Sequence, residues 1–169
     1  MSREELEQLE SELKRHFTAI KQTRISIRQK LSQYANGKKL KGDEIVGWLG
    51  EVYGKLLIGG TLVSDNLEHD FVADDGRRIS VKARKGRAKG WNRTSAISKI
   101  EGADCPTHLM FVSLNDDYFV DRIWLYPWKD LLKFDRFRKH IVRGSLRSFI
   151  FLVDVEPDKK YLIYPQATL

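Results

Sequence analysis

The chain has 169 residues, and its 30 Lys or Arg against 23 Asp or Glu give a net charge of +7 and a pI near 9.5. This length suits one domain with a real core, and the basic balance favours an acidic partner such as nucleic acid. The single cysteine excludes an internal disulfide and fits a reducing compartment. No apolar run reaches transmembrane length and the N-terminus is charged, so we expect a cytoplasmic protein without a membrane partner.

Residues 1–36 predict an amphipathic helix. Apolar side chains recur at about helical spacing, at Leu6, Leu9, Leu13, Phe17, Ile20, Ile27, Leu31 and Tyr34. The first third is acidic and the rest is basic, with nine Lys or Arg and no acid across residues 14–41. Such a helix is compatible with pairing with another copy, packing on its own domain or lying along DNA. Its imperfect heptad pattern favours packing or dimerisation over a long free coiled coil. A basic hinge then leads into a second unit, residues 42–169.

Residues 44–57 predict a second helix, with Asp43 as its N-cap. The expected buried stripe consists of Ile45, Leu49, Val52 and Leu56. Glu51 falls on the other side of the helix, flanked by Gly47, Gly50 and Gly54. Three glycines in one helix should cost roughly 1 kcal/mol each relative to alanine. We therefore expect a strand or a phosphate backbone to approach this helix closely.

Residues 68–84 predict a β-hairpin that sets one carboxylate beside one lysine. Asp74-Asp75-Gly76 suits a three-residue loop in which the glycine supplies a positive φ, and this loop pairs Phe71 with Ile79. Because side chains alternate across a strand, one face of the hairpin is polar and the other is apolar. The polar face carries Glu68, Asp70, Ser80, Lys82 and Arg84, and the apolar face carries His69, Phe71, Ile79, Val81 and Ala83. The apolar face should pack on a core, which fixes the register.

Glu51 on a helix, Asp70 on a strand and Ser80-Val81-Lys82 on the next strand together resemble the PD-(D/E)xK nuclease superfamily. This superfamily includes restriction endonucleases and Holliday-junction resolvases, and the match covers residues 42–126. The resemblance implies an α/β (α+β) fold with a restriction-endonuclease-like core, in which helices flank a central mixed β-sheet. The N-terminal helix would be an addition to this core. The implied activity is metal-dependent hydrolysis of phosphodiester bonds in DNA, with Mg²⁺ as cofactor and Mn²⁺ as a substitute.

The same resemblance assigns a role to each matching residue. Asp70 matches the first metal-binding acid, and Lys82 matches the lysine that assists the attacking water. Glu51 matches the helix glutamate that often joins the metal site. The backbone carbonyl of Val81 is a further metal ligand that the resemblance implies.

Two residues depart from the family pattern. Ser80 stands where the family usually has Asp or Glu, and His69 stands where the motif often has proline. Glu51 or Glu68 would then supply the missing negative charge. Mg²⁺ typically needs only one or two protein carboxylates, so the loss of one acid should weaken metal binding without abolishing it. Taken alone, an aspartate beside a lysine on a hairpin is commonly an exposed ion pair of little consequence.

A second basic block, residues 77–99, begins inside the candidate site and again contains nine Lys or Arg and no acid. Such a block predicts phosphate binding with strongly salt-dependent affinity. We expect a loop that enters a short helix near Ser95. The candidate nucleic-acid contacts are Arg84, Lys85, Arg87, Lys89, Trp91, Asn92, Arg93 and Ser95. Trp91 would stack on a base or ribose, or instead anchor the loop to the core.

Beyond residue 102 the pattern predicts strands interrupted by a helix. Strands at 107–114 and 118–126 flank a turn, Pro127 opens a helix that runs through Phe137, and 148–155 and 161–164 are further strands. The large aromatic residues expected in the core are Trp124, Trp128, Phe149 and Phe151. The basic residues from 133 to 147 either extend the nucleic-acid surface or form the solvated face of the helix, which is the more common arrangement.

Three classes of function follow. The leading one is an endonuclease acting on DNA, with RNA not excluded, in restriction, phage defence or junction processing, and acting as a homodimer. The second is a catalytically inactive nucleic-acid-binding module of the same fold. The third is an interaction protein that is recruited through its N-terminal helix.

Overall fold

The computed structural model describes residues 3–40, 45–64, 66–86, 93–115 and 118–165. Its helices are α1 (Arg3–Ser32), α2 (Ile45–Ile58) and α3 (Trp128–Lys133), and a 3-10 helix spans Pro157–Tyr161. Its strands are β1 (Thr61–Leu62), β2 (Phe71–Val72), β3 (Arg78–Lys85), β4 (Thr94–Ile97), β5 (His108–Leu114), β6 (Val120–Pro127), β7 (Phe137–Val142), β8 (Ser145–Leu152) and β9 (Leu162–Tyr164).

The strands form two sheets. The larger has the order β1-β2-β3-β5-β6-β9, in which β3 and β5 are parallel and the other neighbours are antiparallel. The smaller is antiparallel, with the order β4-β8-β7. The protein is therefore a mixed α/β fold in which a mixed multi-stranded sheet is flanked by helices, as the sequence predicted at this coarse level.

One face of the larger sheet packs against α2. Phe71, Ile79, Val81 and Ala83 form a buried core with Trp48, Leu49 and Val52 of the helix. Val81 and Ala83 alternate with Ser80 and Lys82 along β3, so the polar side chains of this strand point to the other face. The predicted stripe of α2 is right for Leu49 and Val52 but wrong for Leu56, which is 51% exposed. The helix instead turns Gly50 and Gly54 toward the sheet, where both are buried.

We expect Gly50→Ala to destabilise the fold. A Cβ at this position would lie 2.5 Å from the Cβ of Ala83. Such overpacking costs about 1–3 kcal/mol, which exceeds the roughly 1 kcal/mol that alanine gains in helix propensity. Urea denaturation would measure the change in the free energy of unfolding. In the double variant with Ala83→Gly, the loss should be smaller than the sum of the two single losses. Simple additivity would contradict this close-approach explanation.

The C-terminal end of α1 and the segment that follows it, up to Leu40, belong to the same core as α2. Leu31, Ala35 and Leu40 are buried there, and the Arg28 guanidinium lies 4.7 Å from the centre of the Trp48 ring.

Within the described residues, no helix combines the length and the apolar character that crossing a membrane requires.

The other face of the larger sheet packs against the smaller sheet through aromatic side chains. Trp124, Trp128 and Phe151 are buried there and Phe149 is partly buried, in agreement with the expected core. A polar cluster spans the two sheets at one end. Asp158 accepts hydrogen bonds from the Tyr126 hydroxyl (2.9 Å), from both terminal nitrogens of Arg136 (2.7 and 2.9 Å) and from the Asp154 N–H (2.8 Å). Its side chain is 1% exposed.

Several predicted elements differ from the structure. The helix after Pro127 ends at Lys133, because Asp135 adopts a positive φ of 49° and the chain then enters β7 at Phe137. An aspartate tolerates this conformation better than most residues do. Strand β8 begins at Ser145 rather than at Ser148, because Arg143 and Gly144 form a two-residue turn with φ of 50° and 79°. The expected helix near Ser95 is wrong, since Thr94–Ile97 is strand β4.

Candidate active site

A small polar pocket lies between the two sheets, where the β2–β3 hairpin faces the end of β4. Its volume is about 120 Å³. It is lined by Leu67, Glu68, Asp70, Ser80, Lys82, Ile97, Ser98, Lys99, Pro106 and Trp128. The predicted hairpin register is confirmed, since Phe71 pairs with Ile79 and the Ala73 N–H donates to the Arg77 carbonyl at 2.9 Å. The Asp74-Asp75-Gly76 loop closes with a φ of 85° at Gly76. The expected polar face therefore contributes Glu68, Asp70, Ser80 and Lys82 to one pocket.

Asp70 lies at the point where β2 separates from β3. Its N–H donates to the Ile79 carbonyl at 2.8 Å, one residue before the paired segment of β2 begins. Beyond it, the Val81 N–H donates to the Asp70 Oδ2 at 2.6 Å, so a side chain replaces the missing strand. The Ser80 hydroxyl lies 3.5 Å from the same oxygen. Oδ1 makes no hydrogen bond within the described residues and is the oxygen that remains for a ligand.

The backbone carbonyl of Val81 points toward the same edge of β3. In a strand, the N–H and C=O of one residue point to the same side, and the Val81 N–H points toward Asp70. Strand β2 ends before reaching this position, so that edge is open. The arrangement is compatible with the ligand role that the resemblance implies for this carbonyl.

Two lysines line the pocket, and their surroundings differ. The Lys99 ammonium donates to the Asp104 carboxylate at 2.9 Å, which raises the pKa of Lys99. Lys82 forms no hydrogen bond or ion pair within the described part of the chain, although Glu68 and Asp70 line the same pocket. A half-buried ammonium that shares a pocket with two carboxylates and pairs with neither is suited to receive a phosphate or a water molecule.

Glu68 is the second carboxylate of the pocket, and Ser98 lies 3.5 Å from its Oε2 atom. Across the described ranges, no group of three or more His, Cys, Asp or Glu side chains is arranged to hold a metal ion. Two carboxylates and a hydroxyl nevertheless fit Mg²⁺, which usually keeps several water ligands. The donor set therefore matches a weak Mg²⁺ site formed by Asp70 and Glu68, with Ser80 beside them.

Glu51 does not line this pocket. It follows Gly50, which packs on the face of β3 that carries Val81 and Ala83. Its carboxylate accepts a hydrogen bond from the Lys38 ammonium at 2.8 Å, and the two side chains are only 20% and 8% exposed. The structure thus brings Asp70, Ser80, Lys82 and Glu68 together and gives Glu51 a different neighbour.

The predicted nucleic-acid contacts are spread over several environments. Arg84 is exposed, and its Nε donates to the Thr94 carbonyl at 2.8 Å. The Lys85 ammonium lies 4.2 Å from the centre of the Tyr118 ring, and Arg93 is half-buried. Ser95 is only 3% exposed within β4, which removes it from the surface expected for it. The predictions for Arg87, Lys89, Trp91 and Asn92 lie outside the described residues.

His69 precedes Asp70 and is 8% exposed, and its Nδ1 atom has no hydrogen-bond partner within the described residues. Burial lowers the pKa of this imidazole, and the nearby Arg78 charge lowers it further. His69 is therefore neutral at pH 7, and the charges at the pocket come from the neighbouring carboxylates and lysines.

Sequence reasoning did not single out Ser98, Lys99 or the contribution of Trp128 to the pocket. Lys99 was visible only as the last member of the basic block. Its place beside Glu68 depends on the pairing of β4 with β8, which brings together segments about fifty residues apart.

In comparisons with known proteins, no protein-family model matches the sequence, and neither does any curated protein.

Proposed function

We propose that the protein is a metal-dependent endonuclease that hydrolyses phosphodiester bonds in DNA, with a restriction-endonuclease-like core. One observation carries the proposal. Lys82, unpaired within the described residues, shares a small polar pocket with the carboxylates of Asp70 and Glu68. The order of elements supports it, since α2 is followed by the Asp70 hairpin, by the Ser80-Val81-Lys82 strand and by the parallel strand β5.

Three side chains of the pocket and one backbone carbonyl have defined tasks in this proposal. Asp70, through Oδ1, and Glu68 would hold Mg²⁺, and the Val81 carbonyl would complete the ligand set on the open edge of β3. When bound, the cation stabilises negative charge on the phosphate and lowers the pKa of a bound water. Lys82 donates a hydrogen bond to the attacking water or to a phosphate oxygen, where its charge stabilises the transition state.

Cleavage of supercoiled plasmid and branched DNA with Mg²⁺, Mn²⁺ or EDTA tests the proposal. We expect the wild-type protein to cut with either metal and not with EDTA. Asp70→Asn should abolish cutting, because the amide keeps an oxygen that accepts the Val81 N–H but loses the charge that a metal needs. Circular dichroism and thermal melting would verify that this variant is folded. Cutting that persists in EDTA, or in folded Asp70→Asn protein, would contradict the assignment.

Glu68→Gln and Glu51→Gln identify the second carboxylate. Glu68 lines the pocket and Glu51 is bound to Lys38, so we expect Glu68→Gln to reduce cutting more and to raise the Mg²⁺ concentration needed. If Glu51→Gln alone abolishes cutting in a folded protein, the site extends around the edge of β3 to α2. That result would restore the role that the sequence pattern gave to Glu51.

A second candidate function is a nucleic-acid-binding module without catalysis. It is favoured by Ser80 in the usual acidic position and by the bond between Asp70 Oδ2 and the Val81 N–H, which gives the aspartate a structural role. Retained, salt-sensitive DNA binding without cutting on any substrate would support this module. Homodimerisation and recruitment of a partner through α1 stay predictions.

A further inference from the structure

The β7–β8 hairpin extends beyond the smaller sheet. Strand β4 pairs with β8 only from Phe149 to Leu152, whereas β7 and β8 continue together as far as the pair Val142 and Ser145. Arg143 and Gly144 close the hairpin with positive φ values of 50° and 79°. Two-residue turns of this kind match the twist of the flanking strands and make a short, well-defined tip. We call residues 138–148 the basic ribbon.

The basic ribbon carries an uncompensated positive charge. No Asp or Glu occurs from residue 136 to residue 153. Its exposed cationic side chains are Arg138, Lys139, Arg143 and Arg147. Within the described residues, none of these four makes a hydrogen bond or an ion pair. By contrast, Arg136 at the base of the hairpin is held by Asp158 and is not part of this surface.

The far end of the basic ribbon also exposes an apolar pair. Ile141 and Leu146 are partners across the two strands, and they are 59% and 52% exposed. This exposed aliphatic pair lies on the same hairpin as the four unpaired cations. Proteins that bind DNA through a groove use the same combination, because cations contact the two phosphate backbones while apolar side chains contact base edges or sugars. The major groove accepts a two-stranded β-ribbon.

The base of the basic ribbon lies close to the candidate active site. Ile97, which lines the pocket, pairs with Phe149, and Phe149 pairs on its other side with Lys139. Strand β4 ends at Ile97, and the next two residues of the chain, Ser98 and Lys99, also line the pocket. A duplex with one phosphate at the pocket therefore passes the strands that carry the basic ribbon.

We propose that the basic ribbon is a DNA-binding arm that enters a groove of the duplex beside the phosphate held in the pocket. The inference rests on the proposed function for the nature of the ligand, and it adds where the duplex is held. Arg138, Lys139, Arg143 and Arg147 contact phosphates on the two sides of the groove. Ile141 and Leu146 contact its floor.

Fluorescence anisotropy of a labelled 24-base-pair duplex, measured over a series of salt concentrations with EDTA present, tests the arm without cleavage. A variant with Arg138, Lys139, Arg143 and Arg147 changed to Gln should bind more weakly. In a plot of log K, where K is the association constant for the duplex, against log salt concentration, the magnitude of the slope should fall by about 3 to 4. This is the change expected for four lost phosphate contacts. The matched control changes four exposed lysines elsewhere to Gln, namely Lys129, Lys133, Lys159 and Lys160. It has the same net charge and should keep nearly the wild-type slope.

A second variant, Ile141→Ser with Leu146→Ser, should weaken binding several-fold without changing the salt slope. Equal slopes for the ribbon variant and the control would overturn the arm. A vesicle assay gives a second outcome that would overturn the arm. If the wild-type protein binds phosphatidylserine vesicles, and the Ile141→Ser, Leu146→Ser variant loses this binding but keeps its DNA affinity, the hairpin is a membrane-surface contact. Wild-type protein that binds duplex through the ribbon without cutting would refute the proposed function and leave the arm intact. If the wild-type protein cuts DNA but the ribbon variant keeps the wild-type salt slope, the proposed function stands and the arm is refuted.

Discussion

Lys82→Met is expected to lower the rate of DNA cleavage by about 10²–10³-fold, which is the typical effect of removing one electrostatic contact from a transition state. The methionine keeps the length of the side chain and removes the charge. DNA affinity should change by much less, because in the proposed arrangement the ribbon and the other surface cations supply most of the binding energy. Single-turnover cleavage at saturating protein, together with anisotropy measured in EDTA, separates the two effects.

Lys99→Met is the matched control for this variant, because Lys99 lines the same pocket but is paired with Asp104. We expect a loss of less than about tenfold, since that ammonium is already engaged. An equal loss in both variants would mean that only the general positive charge of the pocket matters. Lys82→Arg adds a further distinction, because arginine keeps the charge but does not give up a proton. Retained cleavage would assign Lys82 an electrostatic role rather than a proton-transfer role.

Asp158→Asn is expected to lower the free energy of unfolding by about 3–5 kcal/mol, the cost of breaking a buried ion pair by removing one partner. The carboxylate accepts from Tyr126, Arg136 and the Asp154 N–H, and an amide would direct one NH₂ group at these donors. Guanidinium denaturation would measure the loss. Glu156→Gln is the control close by in the chain. The Glu156 side chain is 75% exposed, so its ion pair with Lys159 should contribute less than about 1 kcal/mol to the free energy of unfolding.

The same cluster predicts a dependence of stability on pH. Burial opposes ionisation of Asp158, but the hydrogen bonds from Arg136, the Asp154 N–H and Tyr126 outweigh it, so its pKa is lowered in the folded protein. The stabilisation is present above the pKa of an unfolded aspartate, about 3.9, and is lost as the pH falls through the lower folded-state value. Asp158→Asn should therefore flatten the acid limb of the stability curve. An unchanged acid limb would contradict this assignment.

The hairpin that carries Asp70 and Lys82 was predictable because its information is local. Strict alternation of polar and apolar residues and one glycine in a short loop determine both the register and the two faces. The role of the glycines in α2 was also predictable in part. The sequence indicated that something approaches the helix, and the structure identifies the sheet, with Ala83 against Gly50. The buried side of α2 combines Gly50 and Gly54 with Trp48, Leu49 and Val52, and Leu56 lies outside it, 51% exposed.

Strand β8 of the smaller sheet was predicted in part, as 148–155, but β4 and β7 were not predictable from local pattern. Phe134 and Phe137 fit a helix as well as a strand, and only the positive φ at Asp135 ends the helix between them. Strand β4 has four residues and lies in a basic stretch, so nothing nearby distinguishes it from a loop. Its identity as a strand comes from pairing with β8. Ser98 and Lys99 enter the pocket only as a result of that pairing.

The partnership of β4 with β8 also determines the order in which the molecule is completed. A chain that emerges from its N-terminus produces the Asp70 hairpin early, and β3 finds its parallel partner once β5 has been made. Strand β4 has to wait for a segment that is synthesised some fifty residues later, and such long-range pairings form slowly. Among the residues that line the pocket, Ile97, Ser98 and Lys99 are thus expected to be the last to take their places. A chain that has not yet been synthesised as far as β8 therefore already carries the basic block of residues 77–99 but does not yet have a complete pocket.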